Sequence, residues 1–268
     1  MVKVSVSSMF LWDCTPEEML FILDESGLDG LELWAETPWY WERRCRPRFL
    51  DMAAVLGGRV RTVHAPVMDM NPSSYSDLVH QATIVETLRA VDMAHDLGVE
   101  VLTIHPGHRT ARRAFRPADW KKFYRYLDAC LIRSRRLGVI LSLENLQEEI
   151  WNICYQPEEM AAVLEKYPLA MTLDISHATP PISRALSFVD RLFERIVNVH
   201  VSATVEGNKH MPPSDGSMDS VLMALRDAGY QGFLTLELDD KKYPNKMGKM
   251  EKASALRTES RHLLDIFG

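Results

Sequence analysis

The sequence contains little cysteine and no long apolar run. Its four cysteines are Cys14, Cys45, Cys130 and Cys154, and no two of them form a Cys-x-x-Cys pair. This usage predicts free thiols in a reducing compartment. No apolar stretch approaches the roughly 20 residues of a membrane span, and no signal-peptide pattern precedes Asp13. We therefore expect a cytoplasmic protein that does not enter a membrane.

A strong excess of positive charge is also absent. The chain of 268 residues carries 31 basic and 37 acidic residues, for a net charge of −6. A strongly basic nucleic-acid-binding protein would have a different balance, although local basic patches still have to be considered. A chain of this length buries a large core without disulfides or a structural metal. Any metal site is therefore predicted to serve function rather than folding.

Short β-branched segments alternate with longer amphipathic segments along the chain. The eight predicted strands are Val2–Ser7, Leu31–Trp34, Val60–His64, Val99–His105, Val139–Glu144, Ala170–Asp174, Ile196–Val201 and Phe233–Leu238. The predicted helices follow them, at about residues 16–26, 48–56, 75–97, 117–137, 157–166, 182–194, 218–228 and 249–266. No Gly-x-Gly-x-x-Gly segment follows the first strand, which argues against a dinucleotide-binding fold. The pattern predicts a single-domain α/β protein, a (β/α)₈ TIM barrel over residues 1–268.

Residues of metal-binding type lie at the ends of six consecutive predicted strands. They are His64, His105, Glu144, Asp174, His200 and Glu237. Barrel enzymes place their chemistry at the carboxyl ends of the strands, where side chains point toward a common axis. Imidazole and carboxylate groups bind zinc, manganese, iron or cobalt, whereas strand ends without a function carry serine, threonine, lysine or asparagine equally well. The pattern predicts a divalent-metal site without selecting the metal.

Three further histidines are predicted to lie near this site. His108 follows His105 closely, and His177 and His210 lie in predicted loops on the same face. For each of them the sequence leaves two interpretations open, a solvated loop residue or a member of the site. The remaining histidines are predicted to be ordinary helix residues: His80, His95 and His262.

The segments around these residues resemble the xylose isomerase-like barrel superfamily, which includes endonuclease IV (the family 2 AP endonucleases) and many sugar isomerases and epimerases. The shared motifs are VHAP, HPG, LEN, LDISHA, NVHVS and the closing LEL. The resemblance covers nearly the whole chain and implies that one common metal is held by Glu144, Asp174, His200 and Glu237. In the isomerase and epimerase branch, it implies that Glu144 and Glu237 also move protons to and from the substrate carbon. In the endonuclease branch, it implies that His64 and His105 share a second metal with Glu144.

The endonuclease branch also has a third metal, and here the sequence departs from the pattern. The resemblance implies that His177 and His210 would bind it together with an aspartate two positions before His210. Asn208 stands at that position, and a neutral amide is a poorer ligand than a carboxylate, although Glu206 is a candidate substitute. The expected cofactor is therefore one to three divalent ions of zinc, manganese, cobalt or magnesium.

Three predicted loops on the same face, residues 35–48, 106–117 and 239–249, contain more basic than acidic residues. They are either solvated surface loops or a mouth that attracts a sugar phosphate or a nucleic-acid backbone. The first loop also carries Trp39, Tyr40 and Trp41, which could stack on bases, line a sugar pocket or cover a hydrophobic mouth. The candidate residues for substrate or phosphate binding are Arg109, Arg112, Arg113, Trp34 and Trp39.

The predicted function is that of a divalent-metal-dependent isomerase or epimerase acting on a sugar or sugar phosphate. A metal-stabilised enediolate would form while Glu144 and Glu237 act as acid and base. One alternative is an endonuclease IV-like phosphodiesterase that cleaves abasic DNA, with nucleic acid as its partner. A less favoured alternative is a non-catalytic barrel that binds a metal or a sugar. The net negative charge and Asn208 favour the isomerase, and homo-oligomerisation stays open.

Overall fold

Short segments rich in buried apolar residues form the strands of this protein. The computed structural model describes residues 2–36, 51, 54–109, 116–243 and 245–268. Its strands are β1 (Lys3–Ser7), β2 (Gly30–Trp34), β3 (Val60–His64), β4 (Val101–Ile104), β5 (Ile140–Glu144), β6 (Ala170–Asp174), β7 (Ile196–Val201), β8 (Ala203–Val205), β9 (Asn208–Met211) and β10 (Phe233–Leu236). Strands such as β4 and β6 are buried along their whole length, as expected when helices cover the outside of a parallel sheet.

Eight of these strands pair in parallel and close into a barrel. Their order around the barrel is β1-β10-β7-β6-β5-β4-β3-β2. The register sets Asp174 of β6 opposite His200 of β7, so neighbouring strand ends share one level. The predicted (β/α)₈ TIM barrel is confirmed, and each strand ends within two residues of its predicted bounds. The extent of the domain, residues 1–268, stays a prediction.

The helices lie between successive barrel strands in the sequence. They are α1 (Pro16–Ser26), α2 (Asp77–Asp96), α3 (Arg116–Leu137), α4 (Pro157–Lys166), α5 (Ile182–Leu192), α6 (Asp219–Asp227) and α7 (Lys249–Phe267). Residues 51 and 54–56 are also helical, and the rest of the helix predicted over residues 48–56 lies outside the described residues. None of the helices in the described ranges is both long enough and apolar enough to cross a membrane.

The first helix shows why the helix boundaries were readable from the sequence. Thr15 accepts a hydrogen bond from the Glu18 backbone at 3.2 Å, and the Glu18 carboxylate accepts one from the Thr15 backbone at 3.0 Å. This reciprocal cap fixes the start of α1. Gly27 adopts a φ of +73° and ends the helix, as glycine commonly does in this position.

The antiparallel hairpin β8–β9 interrupts the β/α pattern after β7 and was not predicted. Its turn consists of Glu206 and Gly207, with φ values of +50° and +80°, which match the twist of a two-residue hairpin. The Lys209 ammonium donates to the Ser176 carbonyl at 2.6 Å and fastens the hairpin to the loop after β6. The hairpin thereby carries His210 to the carboxyl end of the barrel.

Candidate metal centre

Four predicted ligands meet at the carboxyl end of the barrel. Glu144 and Asp174 end β5 and β6, His200 lies in β7, and Glu237 follows β10. These four strands are consecutive around the barrel, and all four side chains are buried. Each offers a ligand atom, and these atoms all lie within 4.8 Å of one another. The fold therefore brings the whole predicted set for the common metal to one point.

The His200 imidazole lies between the two glutamates. Its Nδ1 is 3.4 Å from Glu144 Oε2 and 3.3 Å from Glu237 Oε2. Asp174 is held in place through its backbone, because the Asn145 side chain accepts from the Asp174 N–H and donates to its carbonyl, each at 2.9 Å. The asparagine of the Leu-Glu-Asn segment thus positions the neighbouring ligand.

Several ligand atoms in this cluster are buried without a hydrogen-bond partner among the described residues. They are His105 Nε2, Asp174 Oδ2, His200 Nδ1 and Glu237 Oε2. They lie 3.1–3.4 Å from other polar atoms of the cluster without a hydrogen bond to them. A buried polar atom without a partner costs about 1–3 kcal/mol, and carboxylates this close repel one another. A cation among them would relieve both penalties, so imidazole and carboxylate donors in this arrangement fit a divalent metal.

The pKa shifts of Glu144, Glu237 and His200 favour negative carboxylates beside a positive charge. Burial raises the pKa of Glu144, but the neighbouring His105 and His200 outweigh it and hold that pKa well below its usual range. Burial also raises the pKa of Glu237, and His200 again reverses the effect. His200 itself has a pKa well above its usual value, because Glu237, Glu32 and Glu144 outweigh its burial. A metal ion would supply the charge that the protonated His200 supplies without one.

A second candidate group adjoins the first through Glu144. His64 Nε2 and His105 Nε2 lie 3.2 Å and 3.1 Å from Glu144 Oε2, and the three residues form a further potential metal site. His64 Nδ1 lies 2.8 Å from the Ala65 carbonyl, which as a hydrogen bond would leave Nε2 as the coordinating nitrogen. The structure therefore brings all six predicted strand-end residues together.

His177 and His210 also reach the site. His177 Nδ1 is 3.2 Å from both Asp174 Oδ2 and Glu144 Oε1. Burial lowers the pKa of His177, but Asp174 and Glu144 outweigh it and raise that pKa to about 9. His210 Nδ1 is 3.6 Å from Glu237 Oε2. Asn208, by contrast, is exposed on the hairpin, and its part in a third metal site stays a prediction.

The sequence prediction missed Glu32, which lies below His200 in the barrel. Its carboxylate is fully buried, and Oε1 is 2.9 Å from His200 Nε2. Its Oε2 accepts from Thr62 at 2.8 Å and from Asn198 at 2.9 Å. A glutamate between two leucines in a buried strand was the available signal, since a carboxylate is almost never fully buried unless it is paired. Glu32 turns the other imidazole nitrogen toward the ligands.

Glu32 belongs to a layer of hydrogen-bonded side chains across the barrel interior, which we call the polar floor. All of its members are buried, and they are Ser5, Glu32, Thr62, Thr103, Ser142, Thr172, Asn198 and Thr235. Thr235 contacts Ser5 at 2.9 Å and donates to Asn198 at 2.8 Å. On the other side, Thr172 contacts Thr103 at 3.1 Å and Ser142 at 2.7 Å. The polar floor supports the metal centre from below.

Above the ligands lies a cleft of about 340 Å³. Its polar lining consists of His105, His108, Glu144, Gln147, Asn152, His177, His210 and Glu237. The volume falls within the ~300–1,000 Å³ of small-molecule sites. Trp34 also lines the cleft, with its ring centroid 4.8 Å from that of His64. The cleft gives a small polar molecule direct access to the ligands.

The predicted phosphate-binding residues have different positions. Arg109 is buried, and its guanidinium donates to Asp119 at 3.2 Å and to the Ile150 and Asn152 carbonyls at 2.9 Å and 3.0 Å. These contacts favour a structural role for Arg109, in contrast to the expected contact with phosphate. Of the other candidates for substrate or phosphate binding, Trp34 lines the cleft. The remaining three lie outside the described residues: Trp39, Arg112 and Arg113.

The comparisons with known proteins agree with this architecture. A family model described as a xylose isomerase-like TIM barrel matches residues 20–265. A Methanocaldococcus jannaschii protein, itself named as uncharacterized, is 32% identical over 265 residues, or 94% of each chain. The structure of a D-tagatose 3-epimerase-like protein is similar, with a TM-score of 0.82 at 22% identity over 99% of this chain and 98% of that one. The IOLI protein, solved with a zinc atom, has a TM-score of 0.81 at 17% identity over the same shares.

The two structural similarities show the fold, and the family model extends over most of the sequence. The matched residues include all six strand-end ligand candidates and also His108, His177 and His210 of the cleft. This chain belongs to the xylose isomerase-like TIM barrel family.

Proposed function

We propose that the protein is a divalent-metal-dependent isomerase or epimerase that acts on a sugar. The observation that carries this proposal is the buried set Glu144, Asp174, His200 and Glu237, whose ligand atoms lie within 4.8 Å of one another. Its two glutamates approach the same His200 nitrogen from different strands, at 3.4 Å and 3.3 Å. A substrate bound above this point would have a carboxylate on each side.

This arrangement suits proton transfer at a carbon next to a carbonyl. Glu144 and Glu237 have lowered pKa values, so both are ionised at neutral pH and either can accept the proton. The other carboxylate is positioned to exchange a proton on the second side of the resulting enediolate. A divalent ion held by the four ligands would stabilise the negative charge on the enediolate oxygens. The similarity to a D-tagatose 3-epimerase-like protein supports the same class of reaction.

Solvent-isotope exchange tests the proposal directly. The metal-loaded protein would be incubated in deuterated water with a panel of ketoses and aldoses, and deuterium at the carbon next to the carbonyl would be followed by NMR. Glu144→Gln and Glu237→Gln are each expected to abolish the exchange, because the amide cannot accept the proton. The control is Glu158→Gln, whose carboxylate is exposed on α4, pairs with Arg191 and does not line the cleft. Metal content is measured in every variant, and normal exchange in either glutamate variant would exclude the mechanism.

A second candidate function is metal-dependent phosphodiester hydrolysis, favoured by the group His64, His105 and Glu144. These three residues could hold an additional ion, as phosphodiester chemistry with paired metals requires. Elemental analysis separates the two functions. Two or three zinc ions per chain, with cleavage of abasic DNA that disappears in His105→Ala, would establish the hydrolase and exclude the isomerase. One ion per chain without cleavage would exclude the hydrolase.

The phosphate group of a sugar phosphate substrate stays a separate prediction. It depends on Arg112 and Arg113, which lie outside the described residues, since Arg109 is committed to Asp119. Charge reversal at both positions should raise the Michaelis constant for a phosphorylated sugar but not for the free sugar. If the variant and the wild type have the same Michaelis constant for the phosphorylated sugar, the loop is a solvated surface loop that does not bind phosphate.

A further inference from the structure

A larger groove adjoins the metal cleft at the mouth of the barrel. Its volume is about 660 Å³, roughly twice that of the cleft. Its apolar walls are formed by Met9, Trp12, Trp34, Met68 and Tyr243. Met9 and Trp34 line both spaces. A molecule that binds at the candidate metal ligands could therefore extend from the cleft directly into the groove.

The groove is held in shape by a buried lysine of α7. Lys252 donates to the Phe10 carbonyl at 2.7 Å, to Asp13 at 2.8 Å and to Asp240 at 3.0 Å. These contacts connect the loop after β1 with the loop after β10, which form two sides of the groove. The Phe10 ring also lies 5.6 Å from the Tyr243 ring. The groove is thus a built feature and not a gap between unconnected loops.

Among the residues that the structure describes, the charges around the groove balance. Three carboxylates and three ammonium groups of this set lie in or directly beneath it: Asp13, Asp239, Asp240, Lys241, Lys246 and Lys252. Two of the carboxylates are paired with Lys252, and Asp239 accepts the Lys241 backbone N–H. This balance does not favour a phosphate or another strongly charged group.

The apolar walls remain open to a ligand. Trp12 is 39% exposed and Met68 is 65% exposed, although aromatic and thioether side chains gain most from burial. A flat ring could cover both of them. A free sugar bound in the cleft would not reach into the groove, which would then be filled by water. The shape and the charge balance together point to an uncharged ring as the occupant.

We infer that the substrate is a carbonyl-bearing sugar with an uncharged aromatic substituent, whose sugar part binds in the metal cleft and whose ring binds in the groove. This inference rests on the proposed function for the sugar part. The cleft alone is near the lower end of the ~300–1,000 Å³ of small-molecule sites, and the groove supplies the additional volume. Trp12 and Met68 are then specificity residues that contact the substituent.

Calorimetric binding of two simple glycosides to the metal-loaded protein tests the inference. Both glycosides carry a keto group at C3, so they have the carbonyl that the inference requires. Phenyl 3-keto-β-D-glucoside is expected to bind about tenfold more tightly than methyl 3-keto-β-D-glucoside, because its ring buries apolar area that the methyl group does not. Trp12→Ala and Met68→Ala should each remove most of this preference. Met223→Ala is the matched control, because this methionine is 44% exposed on α6 and does not line the groove. Metal content and thermal unfolding show that each variant is folded.

Equal binding of the two glycosides would overturn the inference, and so would the absence of binding by both. If a disaccharide binds more tightly than the phenyl glycoside, the inference is also overturned, because the groove then binds a second sugar and not an aromatic ring. The result can be separated from the proposed function. A phenyl preference without isotope exchange on any sugar would exclude the proposed reaction and support the groove as the binding site of the ring. Isotope exchange without a phenyl preference would support the proposed reaction and exclude the inference about the groove.

Discussion

At the scale of single residues, Glu32 contacts a candidate metal ligand although it does not line the cleft. Its carboxylate lies 2.9 Å from the far nitrogen of His200 and is itself held by Thr62 and Asn198. A partner of this kind fixes the orientation of a ligating imidazole and raises its basicity. The affinity for the metal should therefore depend on a residue that does not bind it.

Glu32→Gln is expected to weaken metal binding by about 10–100-fold, the usual effect of losing such a partner. The amide keeps the shape of the side chain but removes the charge opposite His200. Competition with a chromogenic chelator measures the affinity, and Glu158→Gln serves as the control on the outside of the barrel. An unchanged affinity would assign Glu32 to barrel stability alone.

At the scale of secondary-structure elements, the loop after β4 depends on one glycine. Gly107 has a φ of +80°, and a Cβ at this position would lie 2.5 Å from Asn71 Oδ1. Asn71 in turn accepts from the His108 N–H at 3.0 Å and donates to its carbonyl at 2.9 Å. The glycine thus permits the close contact that fixes the backbone between His105 and His108.

Gly107→Ala should destabilise the protein by more than the roughly 1–2 kcal/mol of a left-handed backbone alone, because Asn71 must also move. Gly138→Ala provides the matched control, since Gly138 has a φ of +71° with no atom within 4 Å of an added Cβ. Urea unfolding of both variants measures the difference. Equal losses of stability in Gly107→Ala and Gly138→Ala would show that the contact with Asn71 does not contribute to the free energy of unfolding.

Lys252 of α7 connects its helix with the loop after β1 and the loop after β10, through Phe10, Asp13 and Asp240. Removal of its charge in Lys252→Met should cost about 1–3 kcal/mol at pH 7, reduced by the partial exposure of Asp13 and Asp240. The hydrogen bond from Lys252 lowers the pKa of Asp13 below its ordinary value of 3.8. This contribution is therefore complete above pH 3.8 and is lost as the pH falls through the lowered pKa.

Urea unfolding of both proteins at pH 7, and at the lowest pH at which both are folded, measures this dependence. The difference in unfolding free energy between wild type and Lys252→Met should shrink as the pH falls. A difference that stays constant with pH would mean that packing, and not the ion pair with Asp13, supplies the stability.

At the scale of the whole molecule, metal binding and folding should be coupled. The buried ligands come from β5, β6, β7 and the segment after β10, so unfolding separates them. A metal that binds only the folded state stabilises it by about 2.7 kcal/mol at a concentration 100 times its dissociation constant. For proteins of this approximate size, each kcal/mol shifts Tm by about 2–4 °C.

Removal of metal by a chelator should accordingly lower the Tm of the wild-type protein by about 5–10 °C. The same treatment should not change the Tm of Asp174→Ala, which lacks a ligand of the common metal. Differential scanning calorimetry with and without the chelator measures both. A large chelator effect that persists in Asp174→Ala would place the stabilising metal elsewhere.

The sequence was sufficient for most of the barrel and for the grouping of the candidate ligands at one end of it. Glycines such as Gly27 and caps such as Thr15 have local effects that can be read from residue type. The candidate ligands could be grouped because parallel strands end on one face, so His64 and Glu237 could be related without knowledge of the contacts between them.

Other features depended on contacts that residue type does not reveal. Glu32 lies inside a strand, where its pairing with His200 and Thr62 requires the closed barrel. The hairpin β8–β9 was missed because its turn begins with Glu206 at a φ of +50°, a conformation that glutamate rarely adopts. Arg109 was expected to bind substrate or phosphate, but it is buried and donates to Asp119 and to two carbonyls.

The polar floor separates the part of the barrel that holds the strands together from the part that would bind a substrate. Its side chains interact with one another inside the strands, whereas the cleft and the groove are formed largely by loops, including the segments around Met9, Met68 and Tyr243. Loops can change in length and sequence without disturbing strand pairing. A laboratory that wished to change the substrate could therefore exchange these loops and retain the metal centre, and descendants of the same ancestral gene could have diverged by the same route.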